Sequence, residues 1–192
     1  MKTSRRLLFG TFAALLAAPV VLVAYGRISG AGIMYELPAP ERPTAEDLAA
    51  LRDFDTIEVR GDFALEIAGA PEYSVTYTPL TGSRGFLRAN VTDGTLTIEG
   101  YANRTETTAG TVRITLPELS HVDAESLFML TVRDFDGEAL TLDAAAVRRL
   151  IVENNRLGEL DVALQAPWNI TFRNNEIGTT RMSRLGATAT VE

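Results

Sequence analysis

The chain has 192 residues, enough for one domain with a hydrophobic core together with a targeting segment. Its net charge is −7, and residues 1–31 hold four basic side chains and no acidic one, so the remaining residues carry −11. A surface of this sign repels phosphate backbones, which excludes nucleic acid as an expected partner. The absence of cysteine excludes disulfides, thiolate metal sites and a thiol nucleophile.

The N-terminal segment combines a basic start with a long apolar run. Residues 1–6 carry three basic side chains, and residues 7–26 carry no charge. This pattern predicts a signal peptide or a single membrane anchor within residues 1–31, because about twenty helical residues cross the bilayer core. The basic flank predicts that the rest of the chain lies outside the cytoplasm, in the periplasm or cell envelope. Small residues at Ser29–Ala31 are compatible with cleavage by signal peptidase, and the arginine pair is compatible with twin-arginine export. Both questions stay open at this point.

A spacer and a short helix are predicted over residues 32–53. Three prolines within residues 38–43 predict an extended chain, because proline fixes φ and restricts the residue before it. Thr44 fits a helix N-cap, and Asp47 stands at the capping-box position three residues later. We expect a helix over about Ala45–Arg52 that packs on the first strand or covers one end of the fold.

From Phe54 apolar residues alternate with polar ones, which predicts β-strands. Gly61–Asp62 and Asp93–Gly94 separate alternating runs and have the conformational freedom of tight hairpin turns. The first half of the domain is therefore expected to be mostly antiparallel β, with an exposed loop over residues 100–109.

From Val112 to the C-terminus the sequence repeats every twenty residues. A fixed period of this length predicts a β-solenoid, because one coil cannot bury its own apolar face and must stack on its neighbours. A helix over residues 143–150, favoured by its alanines, is set aside because these residues fall in the repeat columns. The two clearest columns are Val112, Val132, Val152 and Phe172, and Val122, Leu142, Val162 and Met182.

Four segments, in this order, carry a resemblance to a known family: Phe54–Ile67, Tyr73–Tyr77, Asp93–Ile98 and Val112–Leu119. They resemble the auto-transporter adhesin head domain of GIN type, found in bacterial envelope proteins, and the resemblance covers residues 54–192. The resemblance implies a β-solenoid of short strands that is exported or membrane-anchored. The family has no established catalytic residues, so the resemblance transfers none.

The expected fold is therefore all-β. It consists of a β-solenoid with coils of about twenty residues and an antiparallel β N-terminal half, preceded by a signal or anchor helix. The expected divisions are a signal peptide or anchor at 1–31, a spacer and short helix at 32–53, and a GIN-like domain at 54–192.

Charged residues in one repeat column are the first candidate binding surface. Arg133, Glu153 and Arg173 are expected on the outer face about 4.8 Å apart, as a salt-bridge ladder or a contact for a partner. The alternative function is a carbohydrate-active β-helix enzyme, in which Asp134, Asp136 and Glu153 act as acids or cation ligands. A catalytic site needs converging groups in a cleft, and the sequence indicates no cleft.

Asparagines and the single tryptophan are the other binding candidates. Asn154 and Asn174 share a turn column with Asp134, which predicts a ladder of side-chain hydrogen bonds, with a sugar-binding groove as the alternative. Trp168 follows a proline at a predicted corner, and we expect a partly exposed ring that can stack on a sugar or a protein.

The single histidine, His121, has Asp123 and Ser126 near it in sequence. The alternation of apolar residues places these side chains along a strand edge, which favours a surface histidine over a catalytic triad. A metal site based on histidine is also not expected with only one histidine.

These features predict a non-enzymatic, extracytoplasmic domain with a binding, adhesion or scaffold role. We expect no cofactor and no metal. The expected partners are the membrane, through the N-terminal segment if it is not cleaved, and a protein or glycan outside the cytoplasm. The thin last coil, Arg184–Glu192, predicts self-association or strand capture at the C-terminal end, unless the predicted helix covers it.

Overall fold

The structure is a computed structural model that describes residues 43–80, 86–101, 110–165, 169–184 and 187–188. These residues all belong to one compact unit, Pro40–Glu192. The predicted signal or anchor segment, residues 1–31, and the spacer up to residue 42 lie outside the described residues. Within the described ranges, no helix is long and apolar enough to cross a membrane.

The described residues form one short helix and fourteen strands, which confirms the predicted all-β class. The helix, α1, spans Ala45–Ala49. The strands are β1 (Thr56–Gly61), β2 (Ala64–Gly69), β3 (Ser74–Pro79), β4 (Phe86–Thr92), β5 (Thr95–Tyr101), β6 (Gly110–Leu116), β7 (His121–Glu125), β8 (Met129–Arg133), β9 (Asp136–Ala145), β10 (Arg149–Glu153), β11 (Arg156–Gln165), β12 (Asn169–Arg173), β13 (Glu176–Arg184) and β14 (Ala187–Thr188).

Two mixed sheets share one hydrophobic core. Sheet A has the order β14-β13-β11-β9-β7-β1-β5-β4, and sheet B has the order β12-β10-β8-β2-β6-β3. Most neighbours are parallel, and the antiparallel pairs are β3 with β6, β4 with β5, and β13 with β14. Inward residues of both sheets are fully buried, among them Ile57 and Leu142 of sheet A and Leu65 and Leu150 of sheet B. Burying each such side chain contributes about 1.5–3 kcal/mol.

The twenty-residue period is present as strand register from β7 onward. Successive strands of sheet A pair in parallel with partners twenty residues apart, and the same register holds in sheet B from β8 to β12. The expectation of strands rather than a helix over residues 143–150 is confirmed, because β9 runs to Ala145 and β10 starts at Arg149. The stacked columns are Val122, Leu142, Val162 and Met182 in sheet A, and Val132, Val152 and Phe172 in sheet B.

Val112 does not belong to the column in which the sequence placed it. It pairs with Leu65 of β2, whereas Val132 pairs with Ile67 of the same strand. The repeat therefore begins later than predicted, because β2 lies between β6 and β8. A linear count of residues cannot detect a strand inserted from an earlier part of the chain.

The prediction of a mostly antiparallel N-terminal half is wrong for β1 and β2. β1 is parallel to β5 and β7, and β2 is parallel to β6 and β8. Gly61 is not part of a hairpin; the chain passes there from sheet A to sheet B, so both strands direct their apolar side chains into the same core. Gly61 has a φ of 140°, and a Cβ at this position would lie 1.6 Å from the carbonyl oxygen of Gly100.

The hairpin predicted at Asp93–Gly94 is confirmed. β4 and β5 are antiparallel and Thr92 pairs with Thr95 across the turn. Both turn residues have positive φ, 49° for Asp93 and 77° for Gly94, as a two-residue hairpin requires.

The short helix has the predicted N-terminal cap. The N–H of Asp47 donates to Thr44 Oγ1 at 3.1 Å, and the N–H of Thr44 donates to Asp47 Oδ2 at 2.8 Å. Hydrogen bonds from Thr44, first its hydroxyl and then its backbone, hold the pKa of Asp47 below its usual value. The helix ends at Ala49 rather than Arg52, buries Leu48 and contacts β3, which lies at the opposite end of sheet B from β12. It therefore does not cover the last repeat.

The apolar columns become more exposed at the C-terminal end of the repeat. Val132 and Val152 are 0% exposed, whereas Phe172 in the same column is 39% exposed. Ile170 and Met182 are partly buried, although their counterparts in the preceding repeats are buried. The two-residue strand β14 pairs with β13 at this end of sheet A. Part of the core surface is thus open to solvent beside β12.

Candidate functional site

The charged column predicted from the sequence lies on sheet B. Arg133, Glu153 and Arg173 stand directly opposite one another on β8, β10 and β12. Among the described residues, however, no ion pair joins any two of them; Arg133 Nη1 lies 2.6 Å from Asp134 Oδ2 instead. The predicted salt-bridge ladder is therefore wrong. Asp134 lies at the corner where the chain leaves sheet B, with a φ of 63°. Its carboxylate is closer to the Arg133 guanidinium than the carboxylate of Glu153 on the next strand is.

An outer ladder of polar side chains follows the corner between sheets B and A. Asn154 Nδ2 donates to Asp134 Oδ1, and Asn174 Nδ2 donates to Asn154 Oδ1, each at 3.3 Å. All three residues have positive φ, between 50° and 63°, which asparagine and aspartate tolerate better than other side chains. The ladder predicted for these residues is confirmed.

A second, inner ladder beside it was not predicted. Asn155 is 1% exposed; its Oδ1 accepts from the N–H of Phe135 at 3.0 Å and its Nδ2 donates to the carbonyl of Val132 at 3.2 Å. One repeat later Asn175 Oδ1 accepts from the N–H of Asn155, and Asn175 Nδ2 donates to the carbonyl of Val152. The adjacent asparagine pairs, twenty residues apart, were the available signal. Only the structure shows which member is buried.

On the other side of the corner, one arginine bridges two acidic residues from adjacent strands. Arg156 lies 3.1 Å from Asp136 through Nη1 and 3.0 Å from Glu176 through Nε. The hydrogen bond and charge of Glu176, and then those of Asp136, raise the pKa of Arg156 above its usual value. All three side chains are exposed, so the two ion pairs contribute little to the free energy of unfolding. They hold the three side chains in position.

An open groove lies between the two polar columns, and we call it the corner groove. It has a volume of about 280 Å³ and lies between the Asp134, Asn154 and Asn174 column and the column that contains Arg156, above Phe135 and Asn155. Its walls present amide, carboxylate and guanidinium groups. Such groups can hydrogen-bond to a polar ligand laid along the corner.

The three residues of the enzyme alternative do not form one site. Asp134 and Asp136 both line the corner groove, but Glu153 does not. Both aspartates are paired with arginines, Arg133 and Arg156. Across the described part of the chain, no group of three or more acidic or histidine side chains has a geometry that could hold a metal ion.

His121 is on sheet A, away from the corner groove. Its Nε2 lies 3.6 Å from Asp143 Oδ2 on the neighbouring strand, and its side chain is 34% exposed. The acidic neighbour of His121 is thus Asp143. Asp123 and Ser126, which lie near His121 in the sequence, do not take this place. A partly exposed histidine on a strand face agrees with the surface position predicted from the sequence.

Trp168 lies outside the described residues, so its predicted exposure stays a prediction. Phe128, which the repeat places in the Trp168 column, is 42% exposed, and the guanidinium of Arg148 lies 5.9 Å from its ring centre. At this position of the twenty-residue repeat, the aromatic side chain of Phe128 therefore reaches the surface.

The fold and the corner groove define an all-β protein with two mixed sheets and polar ladders along one corner. The sequence matches no protein-family model and no curated protein. A similar solved structure is that of a "putative adhesin" from Bacteroides fragilis. The two chains are 11% identical with a TM-score of 0.26, and the similarity covers 70% of this chain and 94% of the other. Membership of the GIN-type family remains a prediction.

Asn155→Ala is expected to lower the free energy of unfolding by about 1–3 kcal/mol, because the N–H of Phe135 and the carbonyl of Val132 lose a buried partner. Asn154→Gly is the matched control. It removes an exposed side chain and retains the positive φ, so its effect should stay within about 0.5 kcal/mol. Urea unfolding followed by circular dichroism measures both. Equal losses would contradict a specific role for the inner ladder.

Proposed function

We propose that this chain is a non-enzymatic binding module of the cell envelope, built as a β-solenoid whose coils are the twenty-residue repeats. The observation that supports it best is the constant register, in which successive strands of each sheet from β7 to β13 pair in parallel twenty residues apart. Stacking of this kind places equivalent outer side chains about 4.8 Å apart in continuous lines. Long repetitive surfaces of this form are typical binding surfaces of solenoid proteins.

The corner groove is the surface we assign to binding, and its partner is a glycan. Hydroxyl groups of sugars can both donate and accept hydrogen bonds, and the groove offers amides such as Asn154 and Asn174 beside the charged Arg156. The groove is open, and its two aspartates are engaged with arginines. General acid catalysis requires a carboxyl group that is free to hold and transfer a proton, so this arrangement favours binding over glycoside hydrolysis.

Binding to a glycan array should detect this activity in the full chain. Arg156→Gln should weaken glycan binding about tenfold, because it removes a charged donor and releases both Asp136 and Glu176. The matched control is Arg113→Gln, which breaks a comparable ion pair with Glu66, 2.8 Å long, away from the corner. No binding by the wild type, or equal losses in the two variants, would contradict the assignment.

Residues 7–26 are the proposed export signal or anchor, since they are uncharged and follow a basic flank. Alkaline phosphatase fused to the C-terminus of the chain should be active in cells, because it forms its disulfides only outside the reducing cytoplasm. Deleting residues 7–26 should abolish that activity at equal expression. An inactive fusion of the intact chain would place the domain in the cytoplasm and overturn this part of the proposal.

Self-association at the C-terminal end is the second interaction we propose. Phe172 and its partly exposed neighbours Ile170 and Met182 present core side chains beside β12, the last strand of sheet B. The other end of that sheet is in contact with α1. Because the two ends differ, we expect two copies to meet through their C-terminal ends, a contact that closes as a two-fold dimer.

Light scattering of the full chain should therefore give the mass of a dimer, and Phe172→Asp should give a monomer by placing a charge in the apolar contact. Phe128→Asp is the control, since Phe128 is equally exposed but lies against Arg148. It should leave the dimer intact. A monomeric wild type would contradict self-association, and loss of the dimer in both variants would place the contact elsewhere.

A further inference from the structure

A second groove lies at the start of β9. It has a volume of about 490 Å³, and it is lined by residues 118–120 and 135–139 together with Asp55 and Leu157. We call it the acidic groove. Residues 136–139 are four consecutive exposed positions in a strand that is otherwise half buried.

Among the described strands, none lies beside the first residues of β9 on the side that faces β7. β9 pairs with β11 from Asp136 onward, but β7 begins only at His121 and pairs with residues 141–145 of β9. β6 ends at Leu116, and the following chain, which starts with Pro117, crosses from sheet B to sheet A. Among the described residues, no strand therefore pairs with residues 136–140 on this side. An open edge of this kind can accept an extended peptide as an additional strand.

The groove also contains an empty space beside Gly137, where another residue type would have a side chain. Gly137 stands in register with Leu157 and the Ile177 that follows it, both apolar. A Cβ at Gly137 would meet no atom closer than Leu157 Cδ2, at 3.8 Å, whereas a Cβ at Gly158 would lie 2.6 Å from a carbonyl oxygen. Crowding thus explains glycine at 158 but not at 137. The space at Gly137, bordered by Leu119 and Phe135, is open to an apolar side chain from another molecule.

The charges around the groove have one sign. Four acidic residues line it and no basic residue does. Asp136 is paired with Arg156, while the other three have no ion-pair partner among the described residues. A partner with positive charge on both sides of an apolar residue would complement this rim. The four acidic residues are Asp55, Glu118, Asp136 and Glu138.

We propose that the acidic groove binds an extended basic peptide, which adds as a strand beside residues 136–139. An apolar side chain of the peptide fills the space at Gly137, and flanking lysine or arginine side chains reach Glu118 and Glu138. The open strand edge selects a peptide rather than a small amine, because a small amine has no backbone groups to pair with the edge. The acidic groove borders the corner groove, with which it shares Phe135 and Asp136, and the proposed peptide binding depends neither on glycan binding nor on export.

Fluorescence anisotropy with the full chain, at low salt, tests the site. The probe is a labelled hexapeptide that alternates lysine with leucine and valine, and it should bind. The same peptide with glutamate in place of lysine should not bind. A version N-methylated at every residue should bind about tenfold more weakly, because it retains charge and apolar side chains but has no N–H group on either edge with which to pair as a strand. Equal binding of the N-methylated peptide would overturn strand addition.

Two variants of the chain locate the site. Gly137→Val should lower the affinity for the lysine peptide about tenfold by filling the apolar space, with unfolding temperature unchanged or raised. Replacing both rim glutamates, Glu118→Gln with Glu138→Gln, should weaken binding and its salt dependence together. Glu72→Gln, at an exposed position outside the groove, is the control. Wild-type affinity in a folded Gly137→Val variant, or equal losses in the control, would overturn the proposal.

Discussion

Each inward side chain of the repeat rests on its counterpart twenty residues away, and parallel strand pairing holds the two in place. Val122, Leu142 and Val162 form one such column, and their burial supplies the main stabilising free energy. A slip of one residue between neighbouring strands would turn the apolar side chains of that strand outward and its charged ones inward. The register is therefore strongly specified, and the remaining features of the structure follow from it.

The polar corner is a direct consequence of this register. Since equivalent residues lie on adjacent strands, Asn155 and Asn175 can satisfy backbone groups of the corner from inside, while Arg156 joins carboxylates outside. The inner contacts prevent buried donors and acceptors from remaining unpaired, which would cost about 1–3 kcal/mol each. The outer contacts contribute little stability, and they hold polar groups in fixed positions where a ligand can meet them.

Differences in strand length create the surfaces that remain open. β9 and β11 have ten residues each, whereas β7 has five, so the edge of β9 extends beyond its neighbour at Asp136–Ala139. At the C-terminal end the apolar columns continue to Phe172 and Met182 without full burial. An incomplete sheet edge and an incompletely covered core both have backbone or apolar groups available for a partner. The proposed peptide site and the proposed dimer contact use these two surfaces.

The amino-acid sequence alone determined the all-β class, the twenty-residue period, the cap at Thr44 and the Asp93–Gly94 hairpin, because alternation, periodicity and turn chemistry are properties of residues near one another. It did not determine the positions of β1 and β2, the burial of Asn155 or the open edge of β9. These depend on which distant strands become neighbours. The common core of the two sheets selects that pairing, and only the tertiary structure contains it.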